Sequence, residues 1–370
     1  MRRTVGMLGL FTALTLAVLA IGPAAMAQGH EQVIFSGEAE GSVGEVGFWI
    51  WCAVDQSGNY DDCNGAMAFD DLHLTRHVEG EVEELGDDVY QMDVTSTRDG
   101  TLYVGSFNLG GVVKAAPGGK VEQFIKPGAG GSRSVLGVLA DEKNGMLYVC
   151  SNDITGFGVP GPGDTKGAWL KVFDLASGAP KGSFALKDPK SLCNDIAVGA
   201  DGTAYVTDSF TPNVYSLKPG GAALEVWATD PLLAPAKDGV GLDGIAFGAD
   251  GNLYVNTYIP AALFRIAVKD GKAGAITALK TSRPLDHADA MRSFGDSLLL
   301  IEGNGKLDKV TIKGDEAQVE TIQDGFTEPV SVTQVGNTAW VAEGKLSHII
   351  GDNKEKDPGP FAIKPVALAK

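Results

Sequence analysis

Positive charge is scarce in this chain. Lys and Arg number 30 against 47 Asp and Glu, for a formal net charge of −17. A nucleic-acid binder needs a basic footprint, so that class is excluded; an acidic surface keeps a protein soluble and draws cations rather than anions. Cysteine is also sparse, at 4, and histidine at 5, and neither CxxC nor HExxH spacing occurs, which removes the usual zinc sites. There is no G-x-S-x-G elbow and no Walker-type phosphate loop, so serine-hydrolase and nucleotide mechanisms lack their signatures.

Long apolar runs are missing too, with one exception from Val5 to Ile21. Arg2 and Arg3 precede it, and Ala25-Met26-Ala27 follows as a small-x-small cleavage site before Gln28. Residues 1–27 therefore read as a secretory signal peptide. The Arg pair lacks the flanking pattern of a twin-arginine signal. No later stretch is long and apolar enough to span a bilayer, so the expectation is a periplasmic or secreted protein with no membrane anchor after cleavage. In an oxidising compartment the cysteines are expected to pair, Cys52 with Cys63 across a polar stretch and Cys150 with Cys193.

Glycine is plentiful, 50 residues without a collagen-like period, and it punctuates a repeat. Six times an apolar strand leads through a tight turn to a second strand rich in Leu, Tyr and Val. The turn glycines are Gly100, Gly145, Gly202, Gly251, Gly295 and Gly336, and Asp-Gly or Asn-Gly forms four of the six turns. Those pairs suit turns that need positive φ. A third alternating segment follows each hairpin: GVVKAA, AWLKVFDL, NVYSLK, ALFRIAV, KLDKVTI and KLSHII. Most are followed by a fourth strand, such as KVEQFI, ALEVWA or AQVETI. Four short antiparallel strands per unit, six units in phase, predict an all-β, six-bladed β-propeller over 87–370. Tyr103, Tyr148, Tyr205 and Tyr254 recur at one repeat position and are expected between blades. Residues 28–86 stand outside the repeat and are expected to form a small disulfide-containing β extension, with a strand pair around LHLTRHVEGEV. Either part of this extension or the terminal PFAIKPVAL can supply the outer strand that closes the ring.

One repeat position carries the chemistry. Near the start of each innermost strand, about eight residues before the turn glycine, stand Met92, Leu136 or Gly137, Asn194, Asp243, Asp289 and Glu328. Two neighbouring blades offer apolar groups and the other four, consecutive around the ring, offer oxygen donors. Confined carboxylates repel unless a cation neutralises them, and oxygen ligands suit Ca²⁺ or Mg²⁺ rather than Zn²⁺. A single such residue is more often a backbone cap or a group facing channel water. Four in one register favour a metal site. His287 lies two residues before Asp289 and is a candidate base, against the plainer reading of a surface-loop histidine. Asp208 and Asn256, at the ends of second strands, are candidate supporting groups, with turn capping as the alternative for Asp208.

The segments LCNDIAVGADGTAYVTDS (192–209) and GLDGIAFGADGNLYV (241–255) resemble the regucalcin/gluconolactonase family, also called senescence-marker-protein or luciferin-regenerating-enzyme-like. The resemblance covers roughly 87–350. It implies a six-bladed propeller with a divalent cation at its axis, held by a Glu, two Asn and an Asp. It assigns Asn194 and Asp243 to ligand positions, and TEPVSVTQVG (327–336) offers Glu328 for the Glu. The other Asn is missing, because VLGVLADEKNG (135–145) presents Leu136 or Gly137 there, while Asp289 adds a carboxylate beyond the pattern.

The expected function is an exported, metal-dependent hydrolase of lactonase type acting on a small-molecule substrate, a lactone or related ester. Glu328, Asn194, Asp243 and Asp289 would hold Ca²⁺ or another divalent cation, and Asp243, Asp289 or His287 would act in catalysis. The alternative is a non-catalytic propeller that binds a ligand or partner around a structural metal. Because unrelated reactions share such folds, a lyase or bond-forming relative is a further alternative.

Overall fold

The computed structural model describes residues 83–84, 90–237, 239–354, 356–358 and 361–368, all within the compact unit Gly80–Lys370. The signal peptide, the Cys52/Cys63 pair and the LHLTRHVEGEV strands lie outside the described residues.

Alternating apolar segments separated by glycine turns fold into six antiparallel sheets. Blade 1 contains Gln91–Ser96, Leu102–Ser106, Val112–Ala115 and Val121–Ile125. Blade 2 contains Ser134–Asp141, Met146–Asn152, Ala168–Asp174 and Pro180–Ala185. Blade 3 is built from Cys193–Val198, Ala204–Asp208, Asn213–Leu217 and Glu225–Thr229. Blade 4 follows with Leu242–Phe247, Leu253–Thr257, Ala262–Lys269 and Lys272–Ala278. In blade 5, Ala288–Phe294, Ser297–Glu302, Lys306–Lys313 and Glu316–Gln323 are joined by the two-residue strand Lys280–Thr281, which runs parallel to the outermost. Blade 6 takes Pro329–Val335 and Thr338–Glu343, then Ala362–Ala367, and last Glu83–Glu84.

Both candidate closing segments are thus used. The C-terminal strand is third in blade 6, and the N-terminal strand is its outermost, with Glu83 opposite Ile363. One expectation fails here. KLSHII is not the third strand, because Leu346–His348 forms a 3₁₀ turn within the connection from Glu343 to Ala362. Leu346 and Ile349 pack against the apolar cluster that contains Leu136 instead of pairing in the sheet, and Ile350 is exposed. The inner strand of blade 6 packs between those of blades 5 and 1, so the ring is closed.

All six turn glycines have positive φ, from 56° at Gly295 to 90° at Gly100. At three turns the preceding Asp accepts a backbone N–H from two residues on: Asp99 from Thr101, Asp201 from Thr203 and Asp250 from Asn252, each at 3.0 Å.

The core is a set of seams between blades. Tyr103 packs with blade 2 residues, Tyr148 with blade 3, Tyr205 with blade 4 and Tyr254 with blade 5, and all four are buried. The Cys150–Cys193 disulfide, with a Cα–Cα distance of 5.1 Å, ties blade 2 to blade 3. Beside it, Asn152 exchanges two 2.9 Å hydrogen bonds with the backbone of Cys193.

Candidate axial site

The inner strands all begin at the same end of the ring, and each slips register against its partner within its first few residues. The shifts fall between Gln91 and Asp93, Val135 and Val138, Cys193 and Ile196, Leu242 and Ile245, Ala288 and Met291, and Pro329 and Ser331. A bulge of this kind re-aims side chains. Two consecutive residues of one strand then reach one cavity, which a regular strand forbids because neighbours point to opposite faces. The axial cavity is lined by Met92 with Asp93, Leu136 with Gly137, Asn194 with Asp195, Asp243, and Asp289 with Ala290. Its volume of ≈ 10 Å³ is room for one water or one ion.

Among the sequence candidates, Met92, Leu136, Gly137, Asn194, Asp243 and Asp289 meet there. Asn194 Nδ2 donates to Asp243 Oδ2 at 2.9 Å and to Ser209 Oγ at 2.8 Å. Asp243 and Asp289 lie within hydrogen-bonding reach of each other. Burial, then the nearby Asp195 charge, pushes Asp243 up to about 7. Burial, then the Asp243 carboxylate, pushes Asp289 well above the usual carboxylate range. Each carboxyl of the pair therefore resists ionisation beside the other in the metal-free site. Asp243 Oδ1 is buried with no hydrogen-bond partner.

Glu328 is turned elsewhere. Its Oε2 accepts from Ser347 N at 2.9 Å and its Oε1 accepts the Ser347 hydroxyl, so it anchors the 3₁₀ turn of the blade 6 connection. Its backbone is left-handed, φ 47°, as is that of His287, φ 54°. Both residues precede an inner strand, and their carbonyls accept from Gly344 N and Gly303 N respectively. His287 Nδ1 lies 2.6 Å from Asp286 Oδ1, and its ring packs edge-on against Tyr258 at 5.0 Å. Glu302, fully buried, fixes this turn by accepting from Asp286 N at 2.5 Å and pairing with Arg283 at 2.6 Å. Asp208 caps its own loop, accepting from Ser191, Leu192, Phe210 and Thr211. Asn256 donates to the carbonyls of Ala288 (2.6 Å) and Asp289 (3.0 Å), which sets Asp289 from the neighbouring blade.

Three groups at the axis escaped the sequence reading. Arg292 of blade 5 reaches across the channel, with Nη1 on Asp195 (2.7 and 3.0 Å) and Nη2 on Asp93 (2.9 Å to both oxygens). Blades 1, 3 and 5 are thereby joined by one guanidinium. Asp93 also accepts from Ser331 and from Val138 N, and Asp195 from Ile245 N. Burial pushes Asp93 up to about 6, although Arg292 pulls it down. Burial would lower the Arg292 pKa, but Asp195 and Asp93 outweigh it and hold the guanidinium charged. Asp93 and Asp195 sit one residue after the register position, an offset that only the bulge makes relevant. Tyr258 was also missed. Burial and four carboxylates, those of Asp289, Asp243, Glu328 and Asp286, push its phenol up, so it stays a proton donor.

A divalent cation of the Ca²⁺ kind requires hard oxygen donors. Two carboxylates and the Asn194 amide converge from three consecutive blades; the amide turns Nδ2 to Asp243, so a cation there would take its oxygen after the amide is turned over, and Asp243 Oδ1 makes no hydrogen bond. These three fit as part of a Ca²⁺ shell, with water as the remainder. Among the described residues no three His, Cys, Asp or Glu side chains converge as a metal cluster.

No protein-family model matches the chain, and no curated protein does. Solved structures do. A gluconolactonase from Xanthomonas campestris superposes with TM-score 0.54 at 18% identity, over 71% of this chain and 86% of that one. A luciferin-regenerating enzyme gives 0.57 at 13% identity, over 78% and 95%. A virginiamycin B lyase from Staphylococcus aureus gives 0.52 at 19% identity, over 72% and 80%. At these identities the likeness establishes the fold: the chain is a six-bladed β-propeller of the architecture that gluconolactonase-type proteins share.

Proposed function

We propose that the protein is an exported hydrolase of lactone or ester bonds that works at the axial mouth with a divalent cation, Ca²⁺ by preference. The observation that carries this reading is the convergence of Asn194, Asp243 and Asp289, with one buried carboxylate oxygen unpartnered. Asn194, Asp243 and Asp289 would hold the cation, which when bound supplies a Lewis acid for the carbonyl. His287, oriented through Nδ1 by Asp286, leaves Nε2 to take a proton from attacking water. The Tyr258 phenol, held protonated, donates a hydrogen bond to the oxygen on which charge develops. Export is supported by the N-terminal leader pattern and by the Cys150–Cys193 disulfide.

The test is turnover of a lactone and ester panel by Ca²⁺-loaded protein, with His287→Ala expected to lower kcat by about 10²-fold or more. No turnover of any member would reject the hydrolase reading. One observation favours the alternative, a ligand-binding propeller with a structural metal: the cavity is water-sized. That reading predicts cation binding and thermal stabilisation without turnover.

A further inference from the structure

Blades 5 and 6 enter their inner strands through the same kind of turn. Asp286 and His287 lead into Ala288–Phe294, and Thr327 and Glu328 lead into Pro329–Val335. The second residue of each pair is left-handed, φ 54° at His287 and 47° at Glu328. Its carbonyl accepts from Gly303 N at 2.8 Å in blade 5 and from Gly344 N at 3.0 Å in blade 6. The first residue of each pair gives its N–H to a buried carboxylate that ends the second strand: Asp286 to Glu302 at 2.5 Å, Thr327 to Glu343 at 2.7 Å. A cationic side chain pairs with each carboxylate, Arg283 at 2.6 Å and Lys364 at 2.7 Å. Left-handed backbone outside glycine costs about 1–3 kcal/mol and persists only where its surroundings enforce it. The two copies show what enforces it: a Glu-Gly pair at the end of the second strand.

Only the blade 5 copy places an Asp–His pair on this turn. Asp286 Oδ1 meets His287 Nδ1 at 2.6 Å, and Asp286 Oδ2 accepts from Asn304 Nδ2 at 3.0 Å. The His287 contact holds Asp286 below the usual carboxylate range, so the carboxylate accepts and Nδ1 donates. Gly303 lets the histidine and Tyr258 come close, since a Cβ there would lie 3.2 Å from His287 Cβ and 3.3 Å from the Tyr258 hydroxyl. Behind the turn, Glu302 and Asp308 are fully buried within hydrogen-bonding reach of each other, and Arg283 pairs with both at 2.6 Å. We propose that Glu302 is a positioning residue for His287. By holding the Asp286 N–H, with Arg283 and Asp308 behind it, Glu302 sets the Asp286 carboxylate where it fixes the Nδ1–H tautomer and leaves Nε2 open to a proton. The inference deepens the hydrolase reading and takes His287 as the base from it.

The experiment reads the His287 tautomer by nitrogen NMR at a pH where the ring is neutral, with His287→Gln identifying its signals. Arg283→Met, Glu302→Leu and Asp308→Leu together replace the buried ion cluster with apolar groups, a change that is often neutral or stabilising. That variant should lose the Nδ1–H tautomer. On any lactone or ester the wild type turns over, its kcat should fall about 10²-fold with KM unchanged. Glu343→Leu with Lys364→Met makes the same change in blade 6 and should leave the His287 signals as they are. Glu302→Gln should leave them too, because it keeps an oxygen for the Asp286 N–H. Retention of the tautomer in the cluster variant, or its loss in the blade 6 variant, overturns the inference. Hydrogen exchange of the wild type decides the matter even if the cluster variant is poorly folded. An Asp286 N–H bonded to buried Glu302 is protected, and free exchange overturns the inference. Loss of the tautomer with unchanged kcat, or a wild type that turns over no lactone or ester, retires His287 as the base and leaves the hold of Glu302 on the Asp–His pair standing.

Discussion

Replacing Arg292 with Met removes the one cation that joins blades 1, 3 and 5 at the axis. The guanidinium makes four contacts of 2.7–3.0 Å with Asp93 and Asp195, whose residues are 3% and 2% exposed. Deleting one partner of a buried ion pair costs about 3–5 kcal/mol, because a charge is left without compensation. Here two carboxylates are orphaned, so the upper part of that range, about 5 kcal/mol at pH 7, is expected. The chain has one escape, which is protonation. Burial already raises Asp93 to about 6 against the pull of Arg292, and loss of the guanidinium raises it further. A carboxyl whose folded pKa lies above its unfolded one binds more protons when folded. Stability is then fully present below the unfolded value near 3.8 and is lost as pH rises through the folded value. The variant should thus recover about 2–3 kcal/mol for each orphaned carboxyl that becomes protonated between pH 7 and pH 5. Urea unfolding of the variant and the wild type at the two pH values measures both quantities, and adding Asp93→Asn and Asp195→Asn should remove the part of the variant's pH dependence that exceeds the wild type's. A loss below about 1 kcal/mol at pH 7, or no recovery at pH 5, would refute the account of the triad.

Other consequences follow from the same geometry. Asp243 at about 7 and Asp93 at about 6 are both raised, so metal-free protein should lose stability as pH rises from 4 to 7, by urea unfolding. A cation that ionises the Asp243–Asp289 pair should flatten that slope. Removing the disulfide by Cys150→Ser with Cys193→Ser should cost about 2–4 kcal/mol, since it closes a loop with a sequence separation of 43. Gly137→Ala would put a Cβ 2.1 Å from the Asn194 carbonyl, so it should cost about 1–3 kcal/mol and displace the amide, read as weakened cation binding.

The propeller was legible because its signals are local and repeated. Each turn glycine needs positive φ, and each repeat tyrosine marks a seam. The last blade was harder, since its third strand comes after a connection longer than in any other blade, and KLSHII mimics a strand pattern over a 3₁₀ turn. At the axis, the register argument located Asn194, Asp243 and Asp289 but passed over Asp93 and Asp195. Alternation assigns neighbours to opposite faces, and only the repeated bulge brings both inward. Arg292 could not be anticipated from spacing, because its reach spans the channel to two other blades. Glu328 has the right spacing, yet Ser347, on a connection no motif describes, engages its carboxylate.

The measurement that bears most directly on the axial site is calorimetric titration of Ca²⁺ into metal-free wild type, Asp243→Asn and Asp289→Asn proteins at pH 7.5. One cation per chain for wild type, weakened about 10²-fold or more in both variants, is the predicted result. Absence of binding at millimolar Ca²⁺, or equal affinity in all three proteins, would contradict it.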